Sequence, residues 1–536
     1  MFAALIVGVT AVALFWYFVL SDPSGEAVPA SGGRYVEAVA RGPDRINPLF
    51  AAANPTDGDL AALIFSGLVR LGPDGTPQPD LAERWEITSN GQTYIFHLRR
   101  GIVWHDGADF TAEDVAFTFK AIADPAFKGD PSLRQLLEGV TVQARDPLTV
   151  EFKLQQPFAP FLAYLSVGIL PKHLLDGLDA NQLFNAPFNA RPVGTGPYQF
   201  DRRTSDAVQL AANRTFYLGP PLISDFEVRV YADAGAARDA LRAGDVDGAL
   251  LTRDASPEEI DALSKDARFS VHDLTSTSFN AIYVNTRAPL FADPDVRLAL
   301  SRAINPASVI DDAAGGLGEV AVSAIPRGSW AFTAVAVPTF DPGASATALE
   351  RAGWSRGADG VRQKSDLRLD ITLSTPNDGQ HVAIAESVAR QWRAVGAAVT
   401  VEPIAAGAYV DDYLAARQFQ AAVVAIDPGP DPDPYPLWHS TQVAPPGRNL
   451  TGFSDPGADD ALERARQTTD SARRKELYAQ FEETLAAAAP QIPLYAPVSA
   501  YVQRVRVRGF ADALLFSPAS RFSSVRDWYV KTRLKQ

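Results

Sequence analysis

The pattern of apolar positions changes character along this chain. From Phe2 to Leu20 it is nearly unbroken. At 1.5 Å rise per residue such a run spans roughly 28 Å, close to the hydrocarbon core of a bilayer. Phe15, Trp16, Tyr17 and Phe18 gather toward its end, where an aromatic interfacial belt would lie. A cleaved signal peptide needs small residues just past the apolar run. Val28 and Ala30 could serve but stand about ten residues beyond it, so a retained membrane anchor over 1–20 is favoured, with a signal segment as the alternative, and in either case the chain behind it is expected to be exported. Residues 21–33, SDPSGEAVPASGG, have linker composition.

Beyond Arg34 the periods are those of a folded α/β chain. Tyr94, Phe96 and Leu98 alternate, as do Val150, Phe152 and Leu154 in TVEFKL, and both runs predict strands. Thr111, with Glu113 and Asp114 behind it, reads as the N-cap of a helix through about Ala121. Asp293 followed by Pro294 opens another helix over VRLALSRAIN. Ile384, Val388, Trp392 and Val395 share one helical face that ends at Gly396. Leu477, Phe481 and Leu485 recur every fourth residue in a long helix stopped by Pro490. Interleaved strands and helices without repeats define an α/β fold.

Composition narrows the chemistry. With 536 residues and 46% hydrophobic content the chain can bury a large core spread over two to four domains. A net charge of −14 argues against nucleic-acid binding, which needs clustered positive charge. There is no cysteine, so disulfides, thiolate catalysis, cysteine-bound metals and an acylated-cysteine anchor are excluded for this sequence. The six histidines form no HExxH pair, and GxSxG is absent. The expectation is therefore a protein that is not an enzyme, with no cofactor and no resident metal.

Three further motifs read as structure. GTGPY (194–198) lacks GxGxxG spacing, and its Gly194 and Gly196 are expected at a domain crossing that needs backbone freedom. DVDG (245–248) lacks the remaining ligands of a calcium loop and reads as a turn. Trp104, His105 and Asp106 are contiguous, which is poor geometry for a catalytic triad, and read as a structural loop.

The stretch Leu63–Ile122 carries the most distinctive pattern: GLVRLGPDG, PDLAERW, TYIFHLRRGIVWHDG and TAEDV in succession. It resembles the signature region of the family 5 extracytoplasmic solute-binding proteins of ABC importers, which include oligopeptide-, dipeptide- and nickel-binding proteins. RPVGTGPYQF (191–200), LRAGDVDGAL (241–250), FNAIYVNTRAPLFADPDVRLALSRAIN (279–305), NLTGFSDPGADDAL (449–462) and PQIPLYAP (490–497) are similar to further segments of that family in the same order.

The resemblance implies a periplasmic-binding-protein-like α/β fold of type II, with two lobes joined by hinge-crossing strands and an extra α/β domain, to which the apolar run at the start adds an N-terminal hydrophobic helix. It places 34–70, 190–275 and 497–536 in lobe I, 71–189 in the extra domain and 276–496 in lobe II. It implies a monomer that captures a peptide, or another small solute such as a nickel complex or an oligosaccharide, and serves an ABC permease and ATPase. A membrane-anchored sensor or chaperone is the alternative use of the same fold.

The acidic, proline-dense segment Ala425–Ser440, AIDPGPDPDPYPLWHS, matches the family's cleft run "GW..DY.DP". In that family the first Asp accepts a bound peptide's ammonium group. Asp427 is the matching residue here, with Asp431 and Pro432 at the later "DP" and Tyr435 and Trp438 as candidate aromatic walls. The Trp that precedes the first Asp in the family is replaced by AAVVAI, and one extra residue separates Asp427 from Asp431.

Overall fold

The strand Gln491–Arg504, 14 residues long, belongs to two halves of the molecule at once. In the computed structural model, which describes residues 27–88, 91–252 and 255–534, it lies in a twelve-stranded sheet. The strands of that sheet in chain order are β1 (Arg34–Val39), β2 (Tyr198–Arg203), β3 (Ala207–Ala212), β4 (Asp225–Val230), β5 (Gly248–Leu251), β6 (Phe269–Thr275), β7 (Phe279–Val284), β8 (Gly318–Val320), β9 (Asp370–Pro376), β10 (Ala398–Ile404), β11 (Ala421–Ile426) and β12 (Gln491–Arg504). Their spatial order is β10-β9-β11-β7-β12-β5-β1-β4-β3-β2, with β6 and β8 also paired to β12.

The chain crosses between lobes at two places in this sheet. β12 pairs with β7 through Gln491–Tyr495 in lobe II and with β6 through Val498–Arg504 in lobe I. β6 passes directly into β7 through Ser276–Ser278. In lobe I, β1 lies parallel to β4 and β5, and Leu251 at the end of β5 pairs with Ala500 close to the crossing. In lobe II, β9 is parallel to β10 and β11, and Ile426 at the end of β11 pairs with Phe279, the first residue after the other crossing. Both sets of parallel strands therefore aim their carboxyl ends at the hinge.

The extra domain is a four-stranded antiparallel sheet in the order Ala82–Ile87, Thr93–Leu98, Thr149–Lys153, Thr141–Asp146. Its covering helix α2 (Ala112–Ala123) follows α1 (Pro55–Ile64) of lobe I. The Asp114 carboxylate accepts the Thr111 N–H at 2.9 Å, closing the capping box at the start of α2. Tyr94, Phe96, Phe119 and Phe152 share one continuous apolar core with Tyr35, Phe226 and Trp528 of lobe I. The extra domain is thus fused to lobe I by packing.

The remaining helices follow their sequence signals. α3 (Pro294–Arg302) is capped by the Asp293 side chain, which accepts the Asp295 N–H. α4 (Gly379–Ala394) buries Ile384, Val388 and Trp392 completely. α5 (Pro456–Gln467) packs on α6 (Ser471–Ala488), whose Leu477, Phe481 and Leu485 are buried. Two other expectations change. Residues Ala27–Ala30, inside the stretch expected to be a linker, form a strand antiparallel to Lys531–Leu534, because the chain's end supplies a pairing partner. The apolar segment 1–20 lies outside the described residues, among which no helix is long and apolar enough to cross a membrane.

Past β12 the chain returns to lobe I and is fixed by buried charge. The Arg521 guanidinium donates to both Asp59 oxygens at 2.7 and 2.6 Å and to Glu37 at 3.0 Å. Tyr35 and Tyr501 hydroxyls complete the shell of Glu37 at 2.6 and 2.9 Å. Removing one partner of a buried ion pair strands the others without counter-charge, at a cost of about 3–5 kcal/mol. Arg521→Ala is therefore expected to lower stability by that amount in urea unfolding. A loss under about 1 kcal/mol, the scale of an exposed pair, would show that the cluster is solvated.

Candidate functional site in the inter-lobe crevice

In open α/β sheets, ligands bind outside the carboxyl ends of the strands. Here those ends meet at the hinge, and the segment leaving β11 at Ile426 is the acidic, proline-rich one. Three carboxylates follow within seven positions, Asp427, Asp431 and Asp433, and the fold treats them differently.

Asp431 is 2% exposed and held in a bidentate pair by Arg474 of α6, at 2.9 and 2.7 Å. Burial pushes its carboxyl up, against the pull of Arg474. Burial also works against the Arg474 charge, but the facing Asp431 carboxylate more than offsets it. Arg474 lies over the Trp330 ring at 4.9 Å and donates to the Tyr478 hydroxyl at 2.8 Å. Asp433 is held by Arg466 of α5 at 2.8 and 2.6 Å. Arg466 in turn lies over the Tyr435 ring at 3.9 Å and over Phe158 of the extra domain at 5.2 Å.

Asp427 is exposed at the end of β11. Its carboxylate accepts the Gly429 N–H at 2.9 Å within the same turn, and among the described residues it has no basic partner. Gly429, at φ +73°, takes the left-handed conformation that lets the turn form, and it faces the Tyr164 hydroxyl of the extra domain.

The four residues read from the sequence thus fall into different environments. Asp427 offers a free carboxylate. Tyr435 is half-buried, sandwiched between Arg466 and the stacked His439 ring at 4.1 Å. Trp438 is 1% exposed and packs edge-on against Tyr283 at 5.4 Å, in the core of lobe II. Asp431 and Trp438 as found here have no surface to present to a ligand, because the fold uses the first as an ion-pair partner and the second as core. Arg466, Arg474 and Trp330, which position the segment, escape a sequence reading. Their one signal is the basic residues on otherwise amphipathic helices α5 and α6.

Contacts between lobe II and the extra domain frame the crevice. The Trp330 N–H donates to the Asp74 carbonyl at 3.0 Å, and the Ala159 N–H donates to the Arg466 carbonyl at 2.7 Å. On the lobe I side, the loop after β1 is fastened by the buried Asp57, which accepts the Asp44 and Arg45 N–H groups at 2.9 Å each. Burial raises Asp57 to about 6.

The GTGPY turn lies against the start of that wall for a reason other than the one expected. Neither Gly194 nor Gly196 has a positive φ. A Cβ on either would stand within 3 Å of the Ile64 carbonyl group at the end of α1, so backbone proximity selects glycine. His105 bolts this turn in place. Its Nδ1 accepts the Gly194 N–H at 3.2 Å and its Nε2 donates to the Gly196 carbonyl at 3.1 Å. Asp247 of the DVDG turn accepts from Arg506 and from the Val36 N–H.

A hinged two-lobe receptor with its strand ends facing one crevice is the architecture of the extracytoplasmic ligand traps. The chain belongs to the bacterial extracellular solute-binding proteins, family 5, whose middle region matches residues 76–445. Such proteins are the extracytoplasmic solute-binding components of ABC importers. Protein XP55 of Streptomyces lividans is 30% identical over 84% of this chain and 81% of its own length. Di/tripeptide-binding protein 2 of Pseudomonas aeruginosa is 26% identical, covering 92% and 94%. Among solved structures, NikZ from Campylobacter jejuni in complex with Ni(L-His) superposes with a TM-score of 0.70 at 27% identity, covering 92% of this chain and 99% of that one. AppA from Bacillus subtilis in complex with a nonapeptide gives 0.69 at 25%, covering 94% and 100%. HbpA2 from Haemophilus parasuis shares the fold at 0.81 and 22%, covering 94% and 100%.

His105 makes the site's frame pH-sensitive. Burial, which disfavours the charged imidazolium, lowers its pKa from the ordinary value near 6.5 to about 4, and protonating Nδ1 would also lose the Gly194 N–H. A folded-state pKa below the unfolded one contributes stability that is full above about 6.5 and lost as pH falls toward 4. Between those limits the wild type is expected to lose about 3 kcal/mol more stability than His105→Asn, as followed by urea unfolding in a pH series. Parallel pH profiles for the two proteins would refute the assignment.

Proposed function

We propose that this protein captures peptides in the inter-lobe crevice and delivers them to an ABC permease. One observation carries the reading: of the three acids after β11, Asp427 alone has no basic partner among the described residues, and it follows directly on the carboxyl end of that strand. A free carboxylate there suits the ammonium group of a peptide N-terminus, and a charge-assisted bond in a closing crevice is stronger than a neutral one. The peptide's backbone would be held as an added strand, and its side chains in roomy, hydrated pockets that tolerate many sequences. The di/tripeptide-binding relative and the nonapeptide complex favour this over other solutes.

Capture by hinge closure on β12 and the β6–β7 link involves no bond making. We extend the reading to a monomer held at the outer face of the membrane by the N-terminal apolar segment, a point that detergent-phase partitioning of the full-length protein tests.

Asp427→Ala is expected to weaken binding of an unmodified tri- to pentapeptide by roughly tenfold or more, measured by calorimetry, since each tenfold corresponds to about 1.4 kcal/mol. N-terminal acetylation of the same peptide is expected to weaken the wild type and leave the variant unmoved. Equal affinities for variant and wild type would remove Asp427 from the site. Tight binding of a nickel–histidine complex with no peptide binding would replace the peptide reading.

A further inference from the structure

Away from the crevice, lobe II contains a cavity of about 260 Å³. It lies between α3, α6, the start of β12 and the irregular segment that follows β8. Its walls are mostly apolar, supplied by Ile304, Val335, Val337, Leu485 and Ile492 among others. Thr339 and Phe340, both exposed, mark the side open to solvent.

Two buried polar side chains in this wall carry atoms without hydrogen-bond partners. Glu482 is 2% exposed. One of its oxygens accepts the Ile325 N–H at 3.0 Å, and the other, Oε2, has no hydrogen bond. Gln491 is 7% exposed, and neither its Oε1 nor its Nε2 is bonded. A buried polar atom left unpaired keeps the full cost of its lost hydration, so three in one cavity wall mark a place where hydrogen-bonding partners are missing.

The charge of the wall selects the partner. Among the described residues, Glu482 is the one charged side chain that lines the cavity, and no Lys, Arg or His faces it. An anionic head would meet a carboxyl group with no counter-charge. A donor-rich cationic head would meet the free Glu482 oxygen and the Gln491 carbonyl. Size limits the rest of the ligand. An apolar cavity of about 150 Å³ already accommodates benzene, so this one holds a single ring or a short branched chain together with its head group.

We propose that the lobe II cavity is a second binding site, separate from the inter-lobe crevice, that takes a small primary amine with a compact apolar body. Burial raises the empty Glu482 carboxyl to about 8, tempered by the Ile325 and Ala324 N–H groups and the nearby Ser323 hydroxyl, itself committed to the Ile325 carbonyl at 2.6 Å. An ammonium group entering at pH 7 therefore converts the neutral carboxyl to a carboxylate. The amine keeps its proton, the Glu482 proton leaves to solvent, and an ion pair remains.

Cyclohexylamine is the probe, titrated by calorimetry into the detergent-solubilised full chain. Cyclohexanol and cyclohexanecarboxylate serve as comparators of similar shape. The amine is expected to bind at least roughly tenfold more tightly than either, with about one proton released at pH 7, read from buffers of different ionisation enthalpy. Glu482→Gln keeps an acceptor for the Ile325 N–H and is expected to abolish both the proton release and the preference for the amine. Ala486→Leu, which fills the cavity, is expected to abolish binding while the circular dichroism spectrum stays unchanged. Asp427→Ala, in the crevice, is expected to leave amine binding as it is, so that failure here and failure of the peptide reading are distinguishable. Equal affinity for the three probes, no binding of any of them, or amine binding that survives Ala486→Leu overturns the proposal. The second outcome means that water alone satisfies Glu482 and Gln491.

Discussion

Everything in this molecule is arranged around a strand that cannot slide. β12 is hydrogen-bonded to β5 and β6 in one lobe and to β7 and β8 in the other, so neither lobe can shear along it without breaking a ladder. Relative motion is left to the short interval where its partners change, near Ala496–Val498. Pro497 stands in that interval. Having no N–H, it gives up no ladder bond there, while its carbonyl accepts the Ser276 N–H at 3.0 Å. The two crossings are thereby tied to each other at their midpoint, which confines bending to one narrow band. The carboxyl ends of both sets of parallel strands face the same band, so closure there changes the geometry of the crevice more than that of either core.

The acidic segment after β11 shows how a fold and a binding site share one run of sequence. Asp431 and Asp433 are consumed by Arg474 and Arg466, and those arginines are themselves covered by Trp330, Tyr478, Tyr435 and Phe158. Buried pairs of this kind add little net stability compared with apolar packing, because desolvation offsets their attraction. They do fix position, since Asp431 meets Arg474 through both its oxygens in one plane and Asp433 takes two Arg466 N–H groups on its Oδ2. Three prolines between Asp427 and Asp433 stiffen the segment further. The outcome is a rigid loop with one acid, Asp427, left over at its start.

Much of this was legible in the sequence, and the exceptions share a cause. Local signals held where the responsible residues are neighbours. Thr111 with Asp114 caps α2, Asp293 caps α3, and the Ile384–Val388–Trp392 face of α4 is buried. The ordered run of segments pointed to the family, and with it to two lobes on crossing strands. Readings that depended on distant residues did not carry over. Asp431 looks like a ligand group until Arg474, 43 positions on, is seen to hold it. Trp438 looks like a pocket wall until Tyr283 and Phe453 close over it. Gly194 and Gly196 suggested conformational freedom, whereas the Ile64 carbonyl, brought near by the fold, is what excludes a side chain. The strand Ala27–Ala30 reads as linker because its partner comes from the far end of the chain.

The same distance argument explains why lobe I is built from both ends of the chain. Among the described residues no strand after Arg504 joins the large sheet, and the segment that follows must be held by other means. Trp528 supplies the apolar part, packed against Tyr35, Tyr501, Phe510 and Phe522. Arg521 supplies the polar part by satisfying Glu37 of β1 and Asp59 of α1 together. Between these anchors and β12, the chain passes the hinge, where Leu515 donates to the Thr275 carbonyl and accepts the Thr277 N–H at 3.0 and 3.1 Å. The C-terminal segment therefore braces the β6–β7 crossing from lobe I. A crossing braced on that side yields more readily beyond Thr277, toward lobe II, than on the side of lobe I, which the extra domain and the C-terminal segment stiffen.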